Sequence, residues 1–258
     1  MSVTCLEARN LAIGYHSRIA KVVASGINLS LFSGQLTCLV GPNGSGKSTL
    51  LRTLSGLQKT LAGDVLLNGV PLRNLSASQR ARKISVVLTE HFPPSNLTVR
   101  QVIALGRLPY TDWLGTLTED DERIVDDVLD KLEIEALAGR FFHQLSDGER
   151  QKTMIARALA QQPDLMILDE PTAFLDWPNR VAVLMKLKEL ARTTGAAFLL
   201  CSHDLELVCQ VADVLWVMER SGMLTCGSPR ELIESGLLAR VFATPYGEFP
   251  ARRLLLER

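Results

Sequence analysis

A glycine-rich segment at residues 41–49 (GPNGSGKST) restricts the possible folds of this chain more than any other feature. It fits the pattern G-x-x-x-x-G-K-[ST]. The preceding residues 36–40 (LTCLV) are mostly apolar and predict a buried strand. Leucines 50, 51, 54 and 57 follow at helical spacing. A strand, a glycine loop and a helix in this order predict a phosphate-binding loop in an α/β fold.

The segment has the properties that binding of a triphosphate requires. Its glycines allow the backbone to curl so that successive N–H groups point inward and form an anion-binding nest. The helix predicted to begin near Lys47 adds its positive end at the same place. We expect Lys47 to reach the β- and γ-phosphates and Ser48 to bind Mg²⁺. The predicted nucleotide-binding residues are Gly41, Pro42, Asn43, Gly44, Ser45, Gly46, Lys47, Ser48 and Thr49. A glycine-rich turn that contains Lys-Ser by chance is the alternative, with odds of roughly 1%.

Composition excludes several classes of protein. The chain has 258 residues, of which 47% are hydrophobic and 22% are charged, which suits a globular protein with one large core or two small ones. Basic and acidic residues number 28 each, so the formal charge is zero and nucleic acid is not expected as a partner. Neither an apolar run of 18 residues nor a secretory signal is evident. Five scattered cysteines suit a reducing cytosol.

Helix signals are concentrated in the middle of the chain. Thr98, Thr118 and Ser146 each occupy a position where a side chain can cap a helix, and acidic residues three positions after the last two extend the capping pattern. We expect the helix that starts at Thr118 to stop at Gly139. Residues 87–162 are therefore predicted to form a helical insert.

Strand signals lie on both sides of that insert. An Asn-Gly pair at residues 68–69 predicts a tight hairpin, and the apolar runs 165–168, 197–201 and 214–218 predict buried strands. We predict an α/β, P-loop NTPase body formed by residues 1–86 and 163–258. Its sheet should be mainly parallel, with additional antiparallel strands. The whole chain would then be one nucleotide-binding domain.

Two carboxylates directly follow the buried strand at residues 165–168. Ligands bind at the carboxyl ends of strands in open α/β sheets. Asp169 is therefore placed to hold Mg²⁺, and Glu170 to polarise a water for attack on the γ-phosphorus. A solvated loop end or a helix cap is the alternative.

A histidine follows the next predicted strand. His203 should lie at the same sheet edge, where its imidazole could donate a hydrogen bond to the γ-phosphate or order the attacking water. A capping or packing histidine is the simpler alternative.

Residues 145–151 (LSDGERQ) resemble the signature motif of ABC-type ATPases, usually Leu-Ser-Gly-Gly-Gln. With the phosphate loop, residues 168–172 (LDEPT) and residues 202–204 (SHD), four motifs occur in the order typical of the family, and the resemblance covers nearly the whole chain. It implies that the signature of one chain closes over the ATP held by a second copy. The signature residues implied to contact that ATP are Ser146, Gly148 and Glu149.

The sequence departs from the family pattern at three residues. Asp147 replaces the first glycine of the signature and Glu149 replaces its glutamine. Asp147 must point away from the phosphates or pair with a basic residue, for which Arg150 is a candidate. Thr89 stands where the family usually has a glutamine that binds Mg²⁺ and senses the membrane partner. Together with Ser48 and Asp169, predicted above, Thr89 is the third candidate metal ligand, and Glu90 could substitute for Thr89.

Two further residues are assigned by the resemblance. Tyr15 matches the aromatic residue that stacks on adenine, and Asp176 matches the loop through which the two ATP sites communicate. A tyrosine of the core or the surface is the alternative at the first position. A simple helix cap is the alternative at the second.

Residues 97–110 (LTVRQVIALGRLPY) resemble the branch of the family that powers importers of iron–siderophore complexes, haem or vitamin B12. This resemblance implies a peripheral ATPase at the cytoplasmic face of the inner membrane, using ATP and Mg²⁺. Its partners would be integral membrane permease subunits, a second copy of itself and, indirectly, a substrate-binding protein.

Three other functions are compatible with a phosphate loop. A soluble ABC-type ATPase would more often carry two cassettes or a long coiled-coil insert. A small-molecule kinase or GTPase would lack the signature helix or contain Asn-Lys-x-Asp. A non-catalytic scaffold would often lack a base at position 170.

Overall fold

A computed structural model describes residues 3–16, 20–88 and 96–243. These ranges contain ten strands and nine α-helices, with short 3-10 turns between some of them. The strands are β1 (Thr4–Tyr15), β2 (Lys21–Phe32), β3 (Leu36–Val40), β4 (Ala62–Leu67), β5 (Val70–Pro71), β6 (Ile84–Val87), β7 (Leu165–Asp169), β8 (Ala197–Cys201), β9 (Val214–Met218) and β10 (Leu224–Gly227). The helices are α1 (Lys47–Leu54), α2 (Ala77–Lys83), α3 (Val99–Ala104), α4 (Glu119–Lys131), α5 (Asp147–Ala160), α6 (Trp177–Thr194), α7 (Leu205–Val211), α8 (Pro229–Glu234) and α9 (Leu237–Val241).

The strands form two sheets. Six strands in the order β10-β9-β3-β8-β7-β6 make the larger sheet, in which every pairing is parallel except that of β10 with β9. Four strands in the order β2-β1-β4-β5 make an antiparallel sheet. The predicted combination of a mainly parallel sheet with antiparallel strands is confirmed.

Alternating side chains divide the core into two clusters on opposite faces of the larger sheet. In β3, Cys38 and Val40 pack with the cluster that includes α3 to α7, whereas Leu39 packs with the cluster of β1, β2 and α1. In β8, Leu200 belongs to the first of these clusters and Cys201 to the second. Successive strand residues point to opposite faces, so three layers result: helices, parallel sheet, and antiparallel sheet with α1. Cys38 and Cys201 are both buried.

Helices α3, α4 and α5 lie between β6 and β7, where the sequence predicts an insert. Thr98, Thr118 and Ser146 each cap one of them, and each forms a complete capping box with the residue three positions later. The limits 1–86, 87–162 and 163–258 stay a prediction. The predicted end of α4 at Gly139 is wrong, because the helix ends at Lys131 and Glu133 adopts a left-handed φ of 57°.

Helix α1 also ends earlier than its leucine spacing predicts. It stops at Leu54, and Gly56 has a φ of 74°, a conformation that terminates helices. Leu57 consequently lies outside the helix and is exposed. The hairpin prediction is confirmed, since Asn68 and Gly69 both have positive φ, at 49° and 78°, between β4 and β5.

A buried arginine joins the helices of the insert. The Nε of Arg107 donates to Asp121 Oδ1 at 2.7 Å, and Nη1 donates to the carbonyl oxygen of Ala160 at 2.8 Å, at the end of α5. The guanidinium carbon lies 4.0 Å from the centroid of the Tyr110 ring. Gly106 permits this packing, because a Cβ there would lie 2.1 Å from the carbonyl oxygen of Arg157. Residues 106–110 (GRLPY) therefore hold α3 against α4 and α5.

Candidate functional site

The glycine loop connects β3 to α1 and lies against the end of β9. Gly44 and Gly46 have φ values of 79° and 108°, which side-chain-bearing residues rarely adopt. A Cβ at Gly41 would lie 2.2 Å from the carbonyl oxygen of Met218, and one at Gly46 would lie 2.5 Å from Val23 Cγ1. Only glycine fits these positions without strain. The positive φ values of Gly44 and Gly46 let the loop curl as the sequence predicts.

The interior of the loop holds a buried ammonium group. Lys47 Nζ donates hydrogen bonds to the carbonyl oxygens of Gly41 at 2.7 Å and Pro42 at 3.1 Å. The Ser45 hydroxyl is also buried, and it has no hydrogen-bond partner within residues 3–16, 20–88 and 96–243. A buried hydroxyl without a partner is costly unless a ligand satisfies it. The loop therefore fits a polar, anionic ligand.

A cavity of about 490 Å³ lies over the loop. A volume of this size is typical of small-molecule and cofactor sites. Its lining comprises Tyr15, residues 21–23, residues 43–49, Glu170, His203 and Arg220.

Tyr15, the predicted adenine platform, is half exposed at the wall of this cavity. Its hydroxyl lies 3.2 Å from Thr49 Oγ1, which ties the end of β1 to α1. The structure rules out the alternative of a core tyrosine. Its stacking on a base stays a prediction.

The carboxyl ends of β7 and β8 bring together three predicted site residues. Asp169 pairs in register with Cys201, and the Glu170 N–H donates to the Cys201 carbonyl oxygen at 3.0 Å. Glu170 has a φ of 50°, and its carboxylate is in ion-pair contact with His203 Nε2. Parallel strands align their carboxyl ends at one sheet edge, which explains why residues 33 positions apart in sequence meet here.

Asp169 is partly buried at the end of β7. Burial raises the pKa of its carboxyl group, and this rise is opposed by a hydrogen bond with Cys201 and by the positive charges of Arg52 and Lys47. The carboxylates of Asp169 and Glu170 and the Cys201 thiol lie within 4.8 Å of one another. Carboxylate and hydroxyl oxygens, such as those of Asp169 and Ser48, are the donors that Mg²⁺ prefers. Thr89 and Glu90 lie outside the described residues.

The signature residues lie elsewhere. Ser146 caps α5, its N–H donates to Glu149 Oε2 at 2.8 Å, and it is exposed to solvent. Ser146, Gly148 and Glu149 are not among the described residues that line the cavity. Asp147 pairs with Arg150 at 3.3 Å, one of the two arrangements that the sequence analysis allows.

Asp176 also lies outside the cavity lining. It caps α6 by accepting a hydrogen bond from the Asn179 N–H at 3.2 Å, as the simpler alternative proposed. Next to it, Arg180 Nε donates to the Leu175 carbonyl oxygen at 2.7 Å, and its guanidinium pairs with Asp204 at 3.5 Å. Sequence reasoning missed this link between the loop after β7 and the loop after β8. A role for Asp176 in communication between sites stays a prediction.

Two basic residues of the cavity wall were also missed. Lys21 begins β2, and Arg220 lies in the turn between β9 and β10. Neither belongs to a local pattern associated with nucleotides. Their proximity to the loop depends on how a strand and a hairpin pack, so the sequence contains no short-range signal for them.

Comparison with known proteins identifies the class to which this fold and site belong. The model of the family described as ABC transporter matches residues 24–173. The chain belongs to the ABC transporter family. It is an ATP-binding subunit of this family, and such subunits are ATPases.

Individual relatives cover nearly the whole chain. It is 40% identical over 237 residues to an uncharacterized ABC transporter ATP-binding protein of Methanocaldococcus jannaschii, covering 92% of this chain and 81% of that one. It is 33% identical to the iron(3+)-hydroxamate import ATP-binding protein of Bacillus subtilis, covering 92% and 87%. The structure of cbiO1 from Clostridium perfringens, part of the ABC transporter complex cbiONQ, superposes with a TM-score of 0.80 at 28% identity, covering 92% and 93%.

Membrane-spanning helices are absent from the described ranges. Among those residues, every helix is too short or too polar to cross a bilayer.

Proposed function

We propose that this chain is the ATP-hydrolysing subunit of a membrane importer for an iron chelate, with haem or cobalamin as related cargoes. Two copies would close on two ATP molecules and drive integral membrane permease subunits from the cytoplasmic face. One observation carries the proposal. The cavity has a phosphate loop, a carboxylate and a histidine, whereas the exposed signature helix start lies outside its lining.

Binding of ATP would use the loop as a cradle. The backbone N–H groups of the loop and the N-terminus of α1 would face the phosphates. Lys47 would exchange its carbonyl partners for phosphate oxygens, and the Ser45 hydroxyl would gain a partner. Tyr15 would cover the base. Mg²⁺, bound by Ser48 and Asp169, would neutralise charge on the phosphate oxygens.

Hydrolysis would depend on the carboxylate after β7. Phosphoryl transfer depends mainly on the positioning of the attacking water and on charge stabilisation. Glu170 would position that water and accept its proton. His203 contacts the same carboxylate, so it would orient Glu170 and reach the γ-phosphate. The left-handed φ of Glu170 holds that residue at the edge of the cavity.

The charges of the signature helix suit contact with phosphate from a second copy. The carboxylate of Glu149 accepts hydrogen bonds from the Ser146 backbone and from Arg140 Nη1 at 3.1 Å. These interactions lower the pKa of Glu149, with the Ser146 backbone contributing most. Asp147 is paired with Arg150. With both acidic groups compensated, the positive end of α5 and the small Gly148 can approach a triphosphate.

The cargo is inferred from the relatives and from the insert. The Bacillus subtilis relative is an iron(3+)-hydroxamate import protein by name, and residues 97–110 have the pattern of that branch. The Clostridium perfringens neighbour is part of a transporter complex. By analogy, this chain would bind permease subunits directly and serve a substrate-binding protein indirectly.

Loss of the loop lysine tests the ATP site and its role in transport. We expect Lys47→Ala to weaken ATP binding by about 10- to 100-fold, because hydrogen bonds from a charged donor are lost. In cells of the source organism, the same substitution should abolish uptake of ⁵⁵Fe supplied as a ferric hydroxamate. Calorimetry and filter-based uptake measure the two effects.

Lys59→Ala is the matched control for this test, since Lys59 is exposed and lies outside the cavity lining. Unchanged ATP affinity in Lys47→Ala would overturn the ATP site. Normal iron uptake despite weakened ATP binding would instead reject the iron chelate as cargo.

Dimer closure can be tested with a hydrolysis-deficient variant. With Glu170→Gln present, saturating ATP is expected to convert the chain to a dimer in solution or within the permease complex, whereas ADP should not. Adding Ser146→Arg should prevent the dimer, because a bulky cation would displace the helix tip. Sedimentation velocity gives the mass of each species. A strictly monomeric chain with ATP in both settings contradicts the paired arrangement.

A further inference from the structure

Two basic side chains at the cavity wall have no partner within the described part of the chain. Lys21 and Arg220 both line the cavity, and neither side chain makes a hydrogen bond or an ion pair with the residues that the structure describes. The neighbouring carboxylate does not compensate Arg220, because Glu219 is paired with Arg240 at 2.9 Å. Most other arginines of the described ranges do form such contacts. An unpaired guanidinium at a cavity wall is available to a ligand.

The backbone of Arg220 is held close to the phosphate loop. Met218, two residues earlier, packs against the loop so tightly that a Cβ at Gly46 would lie 2.9 Å from its methyl carbon. On the other side, a Cβ at Gly222 would lie 2.8 Å from the carbonyl oxygen of Val23. Hydrogen bonds between Glu219 and Met223, and from the Gly222 N–H to Glu219, close the turn. The turn thus presents Arg220 beside the loop.

The charge of the cavity lining matches a polyanion. Its cations are Lys21, Lys47 and Arg220, and its only carboxylate among the described lining residues is Glu170. A guanidinium binds phosphate through two parallel N–H···O bonds, a geometry that lysine cannot reproduce. The planar fork is therefore suited to two oxygens of a phosphate chain.

We propose that Arg220 binds the phosphate chain of the nucleotide from the turn between β9 and β10, with Lys21 adding positive charge at the same wall. This proposal rests on the assignment of the loop as the ATP site. It adds to that site a specificity residue that separates nucleotides by their number of phosphates.

The test measures the affinities of the full chain for ATP and AMP by calorimetry in EDTA, so that no hydrolysis occurs. Arg220→Gln should weaken ATP binding by about tenfold and leave AMP affinity within about twofold. The ATP affinity of Arg220→Lys should lie between those of Arg220→Gln and the wild type, because lysine keeps the positive charge but lacks the planar guanidinium. The weakening by Arg220→Gln should shrink at high salt.

Arg230→Gln is the matched control, because Arg230 is exposed on α8 and lies outside the cavity lining. Arg220 is exposed and makes no ion pair with any described residue, so its variants should keep the unfolding midpoint of the wild type. The proposal is overturned if Arg220→Gln binds ATP as the wild type does while Lys47→Ala does not. An equal loss for ATP and AMP also overturns it. Normal ATP binding in Lys47→Ala would overturn the ATP site itself, and this proposal with it.

Discussion

Replacing Glu170 by glutamine is expected to lower the turnover number of ATP hydrolysis by about 10²–10⁴-fold, with ATP affinity within about twofold of the wild type. The amide has the shape of the carboxylate but cannot accept the proton of an attacking water. Glu170 lines the cavity and contacts His203, so its side chain is positioned for this role. Steady-state phosphate release and calorimetric ATP titration measure the two quantities.

Glu206→Gln provides the matched control for the loss of a carboxylate. Glu206 is exposed in the first turn of α7, three residues after His203, and lies outside the cavity lining. We expect its turnover to equal that of the wild type. If Glu170→Gln also hydrolyses ATP at a near-normal rate, Glu170 is not the base.

Removing the guanidinium of Arg107 is expected to lower the free energy of unfolding by about 3–5 kcal/mol. Arg107 and Asp121 are almost completely buried, with 6% of each side chain exposed. Arg107→Ala would leave the Asp121 carboxylate without its partner, remove a donor from the end of α5 and open a space beneath the Tyr110 ring. Urea unfolding followed by circular dichroism measures the loss.

Arg123→Ala is the control for this substitution. Arg123 forms an ion pair with Asp120 on the same helix, α4, but both side chains are about three-quarters exposed. Exposed pairs contribute about 0–1 kcal/mol, so the control should remain close to the wild type. Similar losses in Arg107→Ala and Arg123→Ala would show that the buried network does not hold the insert together.

Local signals in the sequence predicted the elements that depend on few neighbours. Thr98, Thr118 and Ser146 cap helices because a capping box needs only residues within one turn. The strands of the parallel sheet were predictable because burial on both faces demands continuous apolar runs. The errors arose at helix ends. Gly56 and Glu133 terminate α1 and α4 with left-handed backbone, which overrides the apolar spacing beyond them.

The residues of the candidate site also fall into those with a local sequence signal and those placed by packing. The phosphate loop and the carboxylates after β7 could be predicted, because the curvature of the loop and the end of a strand depend on residues that are adjacent in sequence. The contact of His203 with Glu170 followed from the parallel arrangement of β7 and β8. Lys21, Arg220 and the Arg180 link had no such signal, since each depends on the packing of distant segments.

Ser146 illustrates the difference between these two levels of information. The residues around it were sufficient to determine that it caps a helix and binds Glu149, because those interactions span three positions. Its exposure, and its absence from the lining of the cavity that holds Lys47, were determined by the packing of α5 against α3 and the parallel sheet. Hydrogen bonds within one turn depend on local geometry, whereas the distance between two motifs depends on how the whole core excludes water.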